Sequence, residues 1–330
     1  MLDGAVRRQR AESGVEQSAE VVGPLDEPVG LDELDAELCA HPAAVRMPAL
    51  GRIAVAMIDV HGDGPARGAL ATELEQQGGV DLVLAVDGSE MIAVGGDGTL
   101  HEVVNGALQS NLPINEYPVI GVLPYGSAND FARTAHSPKS IEVLVERIQS
   151  RASKRIDLGK IILHQPGETR YFLNVAGVGL GAEVVQNMDR STSFLGPGFN
   201  YFKNILKGFL SYRKKEVNIK GPSWKWSGQL LQLAVANGRY FGHGICIAPD
   251  AGITDGHFQV AIFGDLSMWD YLKNIRKLKK GVRIDHPQVH YHISREVLIE
   301  SPEACGIEAD GEYVGLGPAT ISVVPKAIRF

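Results

Sequence analysis

Continuous apolar runs dominate the first half of the chain from about residue 52 onward. The runs are RIAVAMIDV at 52–60, VDLVLAV at 80–86, EMIAV at 90–94 and YPVIGVLPYG at 117–126. Short runs of this kind are typical of strands buried on both faces. Segments with helical spacing lie between or after them, at 66–77, 99–108, 128–135 and 141–150. Strands that alternate with helices predict a parallel α/β layer.

The pattern changes after about residue 153, where short strand-like runs are separated by turn residues. They include RIDLGKIILH, RYFLNVAGVGLG, LLQLAVANGRY and HFQVAIFG. This pattern predicts an antiparallel sandwich or a barrel-like domain. Two helical insertions, at 198–215 and 267–281, interrupt the strands.

These changes of pattern divide the chain into three predicted parts. Residues 1–48 have little apolar periodicity and are predicted to be a mobile extension. Residues 49–153 are predicted to form the α/β domain, and 154–317 the β-rich domain. The last segment, 318–330, is a candidate to return to the first domain.

Composition excludes several classes of protein. The net charge of −7 provides no basic excess for nucleic acid, so we expect no nucleic-acid partner. The three cysteines, Cys39, Cys246 and Cys305, are widely spaced, which favours incidental thiols over a zinc site or a disulfide framework. No apolar run reaches the ~18 residues that a membrane span requires. The N-terminus lacks the apolar segment of a signal peptide, so we expect a cytoplasmic protein.

A glycine turn follows the strand at 90–94 and precedes a helix: Gly95, Gly96, Asp97, Gly98 and Thr99. Glycines expose backbone N–H groups to phosphate oxygens, and the helix N-terminus adds partial positive charge. Asp97 would repel phosphate, but it suits contact with Mg²⁺ or with a hydroxyl donor. The alternative is a tight strand–helix turn with a capping aspartate. The spacing fits neither GxxxxGK[ST] nor GxGxxG.

A second stretch, GVLPYGSANDFART at 121–134, repeats this design. Two such turns at the carboxyl ends of neighbouring strands would face one crevice. Gly126 and Ser127 would approach a second phosphate. Asn129 and Asp130 either cap the following helix or contact the ligand.

The ordered set of motifs resembles one family. VGGDGTLHEVVNG followed by LPYGSANDFAR is similar to the catalytic domain of diacylglycerol-kinase-type lipid kinases, which include bacterial soluble lipid kinases, ceramide kinases and sphingosine kinases. RIDLG, FLNVAGVGLGAEVV, ANGRYFGHGICIAPDAGITDGHFQVAIF and IEADGE resemble the second domain of the bacterial members. The resemblance runs from about residue 80 to the C-terminus. It implies a Rossmann-like domain of the NAD-kinase and diacylglycerol-kinase type, followed by a β-rich antiparallel sandwich.

The resemblance also implies the site residues. The nucleotide-phosphate positions are Gly95, Gly96, Asp97, Gly98, Thr99, Glu102, Gly126 and Ser127. The implied general base is Glu312, next to Asp310, and Asp97 is the second candidate. An acidic hairpin turn is the structural alternative for these carboxylates. ATP and Mg²⁺ are the implied cofactors, since phosphoryl transfer needs charge neutralisation and a carboxylate near the attacking hydroxyl.

A separate segment, APDAGITDGHF at 248–258, resembles a structural Mg²⁺ site of the bacterial members. The implied positions are Gly252, Asp255 and His257. Asp255 would supply a carboxylate and the other two main-chain oxygens, which are hard ligands that suit Mg²⁺.

The first turn departs from the family pattern. The family has Asn-Pro-x-Ser/Ala-Gly there, whereas this chain has IDVHGDG with Asp59, His61, Gly62 and Gly64. The family also has a threonine before the glycine turn, and Asp87 or Ser89 stands at that place in this chain. Two alternatives to an active lipid kinase are therefore kept: an impaired homologue that binds lipid or regulates, and a NAD kinase.

The two helical insertions are candidates for contact with a lipid surface. They combine aromatic and aliphatic residues with a cluster of lysines and arginines, which suits an anionic bilayer interface. The alternative is that their apolar faces pack on the sheet and their charges face solvent. The resemblance implies a lipid partner at a membrane surface and peripheral association. Because ligand sites favour domain interfaces, we expect the pocket for the acyl chain between the domains; a homodimer is left open.

Overall fold

The structure, a computed structural model, describes residues 54–58, 82–86, 90–109, 117–187 and 197–330. Side chains are described within 90–108, 117–187 and 202–330. The predicted extension 1–48, the predicted helix 66–77, and Asp59, His61, Gly62, Gly64, Asp87 and Ser89 lie outside the described residues.

Among the described residues, the α/β part contains four strands and three helices. The strands are β1 (Ala54–Ile58), β2 (Leu82–Val86), β3 (Glu90–Gly95) and β4 (Val119–Pro124). The helices are α1 (Asp97–Gln109), α2 (Asp130–Ala135) and α3 (Ile141–Gln149). The apolar faces of α1 and α2 pack against β3 and β4 in one core.

Parallel pairing is confirmed for β1 with β2 and for β3 with β4, but it is wrong for β2 with β3. These two strands run antiparallel, with Val86 opposite Glu90. Only residues 87–89 separate them. A parallel pair needs a crossover of about a dozen residues, whereas an antiparallel pair needs only a tight turn.

The β-rich part contributes fourteen strands and three helices among the described residues. The strands are β5 (Arg155–Leu163), β6 (Thr169–Phe172), β7 (Val175–Gly179), β8 (Lys215–Lys220), β9 (Lys225–Leu230), β10 (Gln232–Ala236), β11 (Tyr240–Phe241), β12 (Ile245–Cys246), β13 (Phe258–Phe263), β14 (Val289–Ser294), β15 (Glu296–Glu300), β16 (Gly306–Ala309), β17 (Glu312–Leu316) and β18 (Ala319–Arg329). The helices are α4 (Leu180–Gln186), α5 (Pro197–Ser211) and α6 (Met268–Lys279).

The predicted antiparallel sandwich is confirmed. One sheet has the order β14-β13-β10-β7-β16-β17, and the other has the order β1-β2-β3-β4-β18-β15-β8-β9, with β5 and β6 attached through β18. Alternate residues of facing strands, such as Val178, Val235 and Ile307 against Ile161, Ile219 and Ile299, fill the space between the sheets. The other face of the six-stranded sheet is covered by α4, α5 and α6.

The C-terminal segment returns to the α/β part. Arg329 pairs with Val119 of β4, and the backbones of Phe330 and Lys154 exchange two hydrogen bonds of 2.8 and 2.9 Å. The ring of Phe330 meets that of Phe131 edge to face, with centroids 5.3 Å apart. The boundary predicted at 153/154 therefore falls between α3 and β5, within one continuous sheet.

Candidate active site

The two predicted glycine turns meet at one edge of the sheet. Gly95 lies opposite Pro124 where β3 and β4 end, and the carbonyl of Gly95 accepts hydrogen bonds from the backbone N–H groups of Tyr125 and Gly126 at 3.0 and 3.1 Å. A Cβ on Gly126 would stand 2.3 Å from Cα of Gly96. Glycine is required at this point because the two backbones touch, and the shared crevice predicted from the sequence is present.

We therefore expect Gly126→Ala to lower the free energy of unfolding by about 2–3 kcal/mol, the usual cost of overpacking against atoms that cannot move. The matched control is Gly98→Ala, because a Cβ there would meet its nearest neighbour, Oε1 of Glu312, at an ordinary 3.6 Å. Urea unfolding of both variants tests this. A Gly126→Ala protein as stable as the control would contradict the close backbone contact.

Asp97 joins the two turns. Its carboxylate oxygens accept hydrogen bonds from the backbone N–H groups of Asp130 and Phe131, at 3.0 and 2.9 Å. Asp97 is the first residue of α1, so its side chain caps a different helix, α2, from across the crevice. Burial raises the pKa of Asp97, and its two backbone hydrogen bonds oppose that shift. The capping alternative thus has direct structural support, with a partner that the sequence did not predict.

Of the two alternatives for Asn129 and Asp130, side-chain capping of the following helix is absent. Asn129 has a left-handed φ of 52° and makes no side-chain cap; its Nδ2 donates to the carbonyl of Gly126 at 2.5 Å. The Asp130 carboxylate accepts from the backbone N–H groups of His243 and Gly244, at 2.9 and 2.8 Å. Burial, followed by the nearby Asp97, raises the pKa of Asp130 to about 6. The loop that contains GHG is thereby held beside the glycine turns.

Glu312 reaches the first glycine turn from the β-rich part. It begins β17, directly after the turn formed by Asp310 and Gly311, whose φ values are 52° and 88°. Oε1 of Glu312 lies 3.6 Å from the position that a Cβ on Gly98 would take. The structure thus places the predicted base next to the predicted phosphate turn, although Gly98 and Glu312 are 214 positions apart in the sequence.

Asp310 anchors that hairpin turn. Its side chain is 2% exposed, and its two oxygens accept hydrogen bonds from the backbone N–H groups of Leu173, Asn174 and Val175 at 2.9 to 3.1 Å. Nδ1 of His101 lies 3.1 Å from Oδ2 of the same carboxylate. His101 was not predicted to be a site residue, and its local signal is limited to a histidine inside TLHEVVNGAL. The contact ties α1 to the Glu312 hairpin.

The other nucleotide candidates lie along the same edge. Thr99 is buried in the first turn of α1, 4% exposed, whereas Glu102 is exposed on the following turn. Ser127 is exposed beside Gly126. The edge therefore presents a bare backbone, two hydroxyl-bearing residues and several carboxylates.

The proposed magnesium segment forms a loop in which Asp255 folds back on its own backbone. Oδ1 of Asp255 accepts from the N–H of His257 at 3.0 Å, and Oδ2 lies 2.8 Å from the position of a Cβ on Gly252. The imidazole of His257 lies 2.8 Å from the carbonyl of Asp255 and 3.2 Å from Nε of Arg295. Because both ring nitrogens have partners, His257 is left with only its main-chain oxygen for a cation. This donor set fits the oxygen site that the resemblance implies.

An apolar cavity of about 730 Å³, counting its open mouth, lies between the six-stranded sheet and helices α4, α5 and α6. Its lining includes Val184, Ile205, Phe209, Tyr271 and Leu278. The apolar faces of both insertions pack toward the sheet, as the structural alternative predicted. Two large apolar side chains remain outside: Leu210 is 80% exposed and Trp269 is 68% exposed.

Among the residues that the structure describes, no helix combines the length and the apolar character of a membrane span. Within the same residues, no three His, Cys, Asp or Glu side chains are grouped as a metal site.

The comparisons with known proteins agree with this geometry. Residues 54–161 match the diacylglycerol kinase catalytic domain, and residues 174–330 match the YegS C-terminal NAD kinase beta sandwich-like domain. A diacylglycerol kinase from Staphylococcus carnosus (strain TM300) is 31% identical over 237 residues, which cover 72% of this chain and 74% of that protein. The chain belongs to the diacylglycerol kinase family of lipid kinases.

Other proteins are also similar to this member of the diacylglycerol kinase family. A protein named probable lipid kinase YegS-like, from Yersinia pestis (strain Pestoides F), is 35% identical over 246 residues, which cover 73% of this chain and 78% of the relative. A solved structure of a diacylglycerol kinase from Bacillus anthracis str. Sterne has a TM-score of 0.51 at 19% identity and covers 81% of each chain. The last comparison supports the fold alone.

Proposed function

We propose that this family member is an ATP-dependent lipid kinase, which transfers the γ-phosphate of ATP to a hydroxyl of diacylglycerol or a related lipid. The observation that carries the proposal is the approach of the Glu312 carboxylate to Gly98 of the glycine turn. A carboxylate at the edge of a phosphate-binding turn is where an attacking hydroxyl would lose its proton.

The nucleotide phosphates are proposed to lie over the two glycine turns. Gly96 and Gly126 present backbone without side chains, and α1, thirteen residues long, directs its N-terminus at the same edge. Oriented N–H groups at a helix N-terminus stabilise phosphate oxygens. Thr99 and Ser127 are proposed to add hydroxyl groups on either side.

In the proposed reaction, Glu312 takes the proton of the lipid hydroxyl while the oxygen forms a bond to the γ-phosphorus and ADP leaves. Mg²⁺, when bound with the nucleotide, neutralises the charge of the phosphates. Asp97 is the second candidate for the base, but both of its oxygens already accept backbone hydrogen bonds.

We propose that Gly252, Asp255 and His257 hold a structural cation, because that loop presents oxygen ligands.

We propose that the acyl chain of the lipid occupies the apolar cavity under α5 and α6. Its wall is apolar at Val184, Ile205 and Phe209. Transfer of an acyl chain from the bilayer into the cavity therefore has little net free-energy cost, because both surroundings are apolar. The cavity lies within the β-rich part, rather than between the two domains where we expected the pocket. Gln232 of β10 and Gly181 of α4 also line the cavity.

We further propose that the protein binds peripherally to an anionic membrane through α5 and α6. Phe209 and Tyr271 lie with ring centroids 5.4 Å apart, so the exposed Leu210 and Trp269 stand on neighbouring helices. Lysines and arginines accompany them on both helices; they are Lys203, Lys207, Lys273, Arg276, Lys277 and Lys279. Apolar side chains among basic residues match the interface of an anionic bilayer.

We expect Trp269→Ala to weaken binding to vesicles that contain anionic phospholipid by about tenfold, since burying one large apolar side chain contributes roughly 1.5–3 kcal/mol. The matched control is Ile293→Ala, because Ile293 is equally exposed, at 69%, but stands on β14. Vesicle sedimentation measures both. Equal losses for the two variants would contradict a specific role for α6.

Transfer of labelled γ-phosphate from ATP, with Mg²⁺ present, tests the proposed function. Mixed micelles would present diacylglycerol, ceramide, sphingosine and monoacylglycerol, and NAD would be offered in a parallel reaction. Labelled lipid supports the lipid kinase. Labelled NADP in its place would establish the NAD kinase alternative. No product, together with no ATP binding by calorimetry, would establish the impaired homologue.

A further inference from the structure

The hairpin that carries the proposed base contains a further buried carboxyl group, that of Glu308. Glu308 is only 2% exposed, and its Oε2 accepts a hydrogen bond of 3.0 Å from the backbone N–H of Gly311. Gly311 is the second residue of the tight turn that precedes Glu312. The Glu308 side chain therefore closes the turn from its buried side.

The other oxygen of Glu308 lies in a space left by a glycine. Oε1 stands 2.2 Å from the position of a Cβ on Gly177, and Nε2 of Gln232 lies 2.7 Å from the same point. The Gln232 amide is directed to Gly181 and Leu233, and among the described residues Oε1 of Glu308 has no hydrogen-bond partner. An ionised carboxylate without donors is costly in such a place, whereas a neutral acid is not.

The charges around Glu308 also disfavour its ionisation. The polar and ionisable groups on the surrounding elements are Asp310 and Glu312 on the hairpin, Gln232 on β10, Glu183 on α4 and His101 on α1, the last bound to Asp310. Burial raises the pKa of Glu308 to about 8; its hydrogen bond from Gly311 opposes the shift, and Asp310 and Glu312 add to it. The acid is therefore neutral at pH 7.

We propose that Glu308 is a positioning residue for the proposed base: as a neutral acid it closes the Asp310–Gly311 turn and keeps Glu312 beside the glycine turn, whereas its ionisation places a further negative charge beside Asp310 and Glu312 and displaces Glu312. β17 is an edge strand of the six-stranded sheet, where it pairs with β16, so Glu312 at its start can move without breaking the pairing of β16 with β7. This inference rests on the proposed function, because it assigns a role to the setting of Glu312.

The pH dependence of phosphate transfer tests the proposal. We expect the wild-type kcat to fall about tenfold between pH 7 and pH 9 as a group with a pKa near 8 ionises. Glu308→Gln keeps the acceptor for Gly311 but does not titrate, so its profile should stay flat there. Glu308→Leu removes the acceptor and should lower kcat at least about tenfold at pH 7, with the KM for ATP changed less than about twofold.

Stability provides a readout that does not require kinase activity. The folded pKa of about 8 exceeds the ordinary 4.5, so the folded state holds a proton that the unfolded chain releases first. The stabilisation of the folded state by protonated Glu308 is fully present below pH 4.5 and is lost as the pH rises from 4.5 to 8. The wild-type Tm should therefore fall relative to that of Glu308→Gln across this window. Above pH 8, the protection of the Gly311 amide from hydrogen exchange should fall in the wild type but not in Glu308→Gln.

The outcomes separate this inference from the proposed function. If Glu308→Gln keeps the alkaline fall in kcat, or if its Tm follows the wild type from pH 5 to pH 8, the inference is overturned. If wild type transfers phosphate to no acceptor, the proposed function fails. The Tm comparison and the exchange at Gly311 would then still decide whether a neutral Glu308 holds the turn.

Discussion

Glu312→Gln is expected to reduce the rate of phosphate transfer by at least ~100-fold, the usual scale of losing a general base. The substitution keeps the size and hydrogen-bonding reach of the side chain beside Gly98 but removes its capacity to accept a proton. The Tm should change little, because Glu312 is only partly buried at the start of an edge strand. The loss should appear in kcat, with the KM for ATP nearly unchanged.

The control is Glu300→Gln, which removes a carboxylate that pairs with Lys220 on the surface, with its side chain 46% exposed. That variant should keep wild-type activity within about twofold, since exposed ion pairs contribute little. Initial rates with labelled ATP measure both. If Glu312→Gln retains more than a tenth of the wild-type rate, the base lies elsewhere, and Asp97 becomes the next residue to test.

The local parts of the site were predictable because each depends on neighbours in the sequence. Glycines between an apolar strand and a helix predict a bare backbone at a strand end, and two such turns on adjacent strands must share an edge. The structure confirms that edge through the contact between Gly96 and Gly126. The resemblance also placed Glu312 in the site from a three-residue motif.

The parts that failed depend on contacts between distant segments. Asp97 caps α2 and not α1, and Asp130 holds the loop at His243 rather than its own helix. Both carboxylates have local capping roles available, and tertiary packing selected other N–H donors. The role of His101 could not be predicted from its neighbours in the sequence, because its partner, Asp310, is 209 positions away. The direction of β2 was predictable in principle, since residues 87–89 are too few for a crossover.

Asp310→Asn is expected to lower the free energy of unfolding by about 3–5 kcal/mol, the range for removing one partner from a buried charged network. Its carboxylate accepts hydrogen bonds from three consecutive N–H groups, at Leu173 to Val175, and contacts Nδ1 of His101. An amide has one acceptor oxygen, so its NH₂ group would face backbone N–H donors. Asparagine tolerates the left-handed φ of 52°, so the loss reports the carboxylate rather than backbone strain.

The comparison with Asp265→Asn isolates the effect of burial. Asp265 pairs with Lys214, but its side chain is 63% exposed, so this substitution should cost less than about 1 kcal/mol. Urea unfolding measures both variants, and transfer assays on the folded fraction should show that Asp310→Asn also loses rate. Glu312→Gln should lose rate alone, because it removes the proposed base without removing the anchor of the hairpin. If Asp310→Asn is as stable as Asp265→Asn, the Asp310 carboxylate is not what joins the hairpin to β7 and α1.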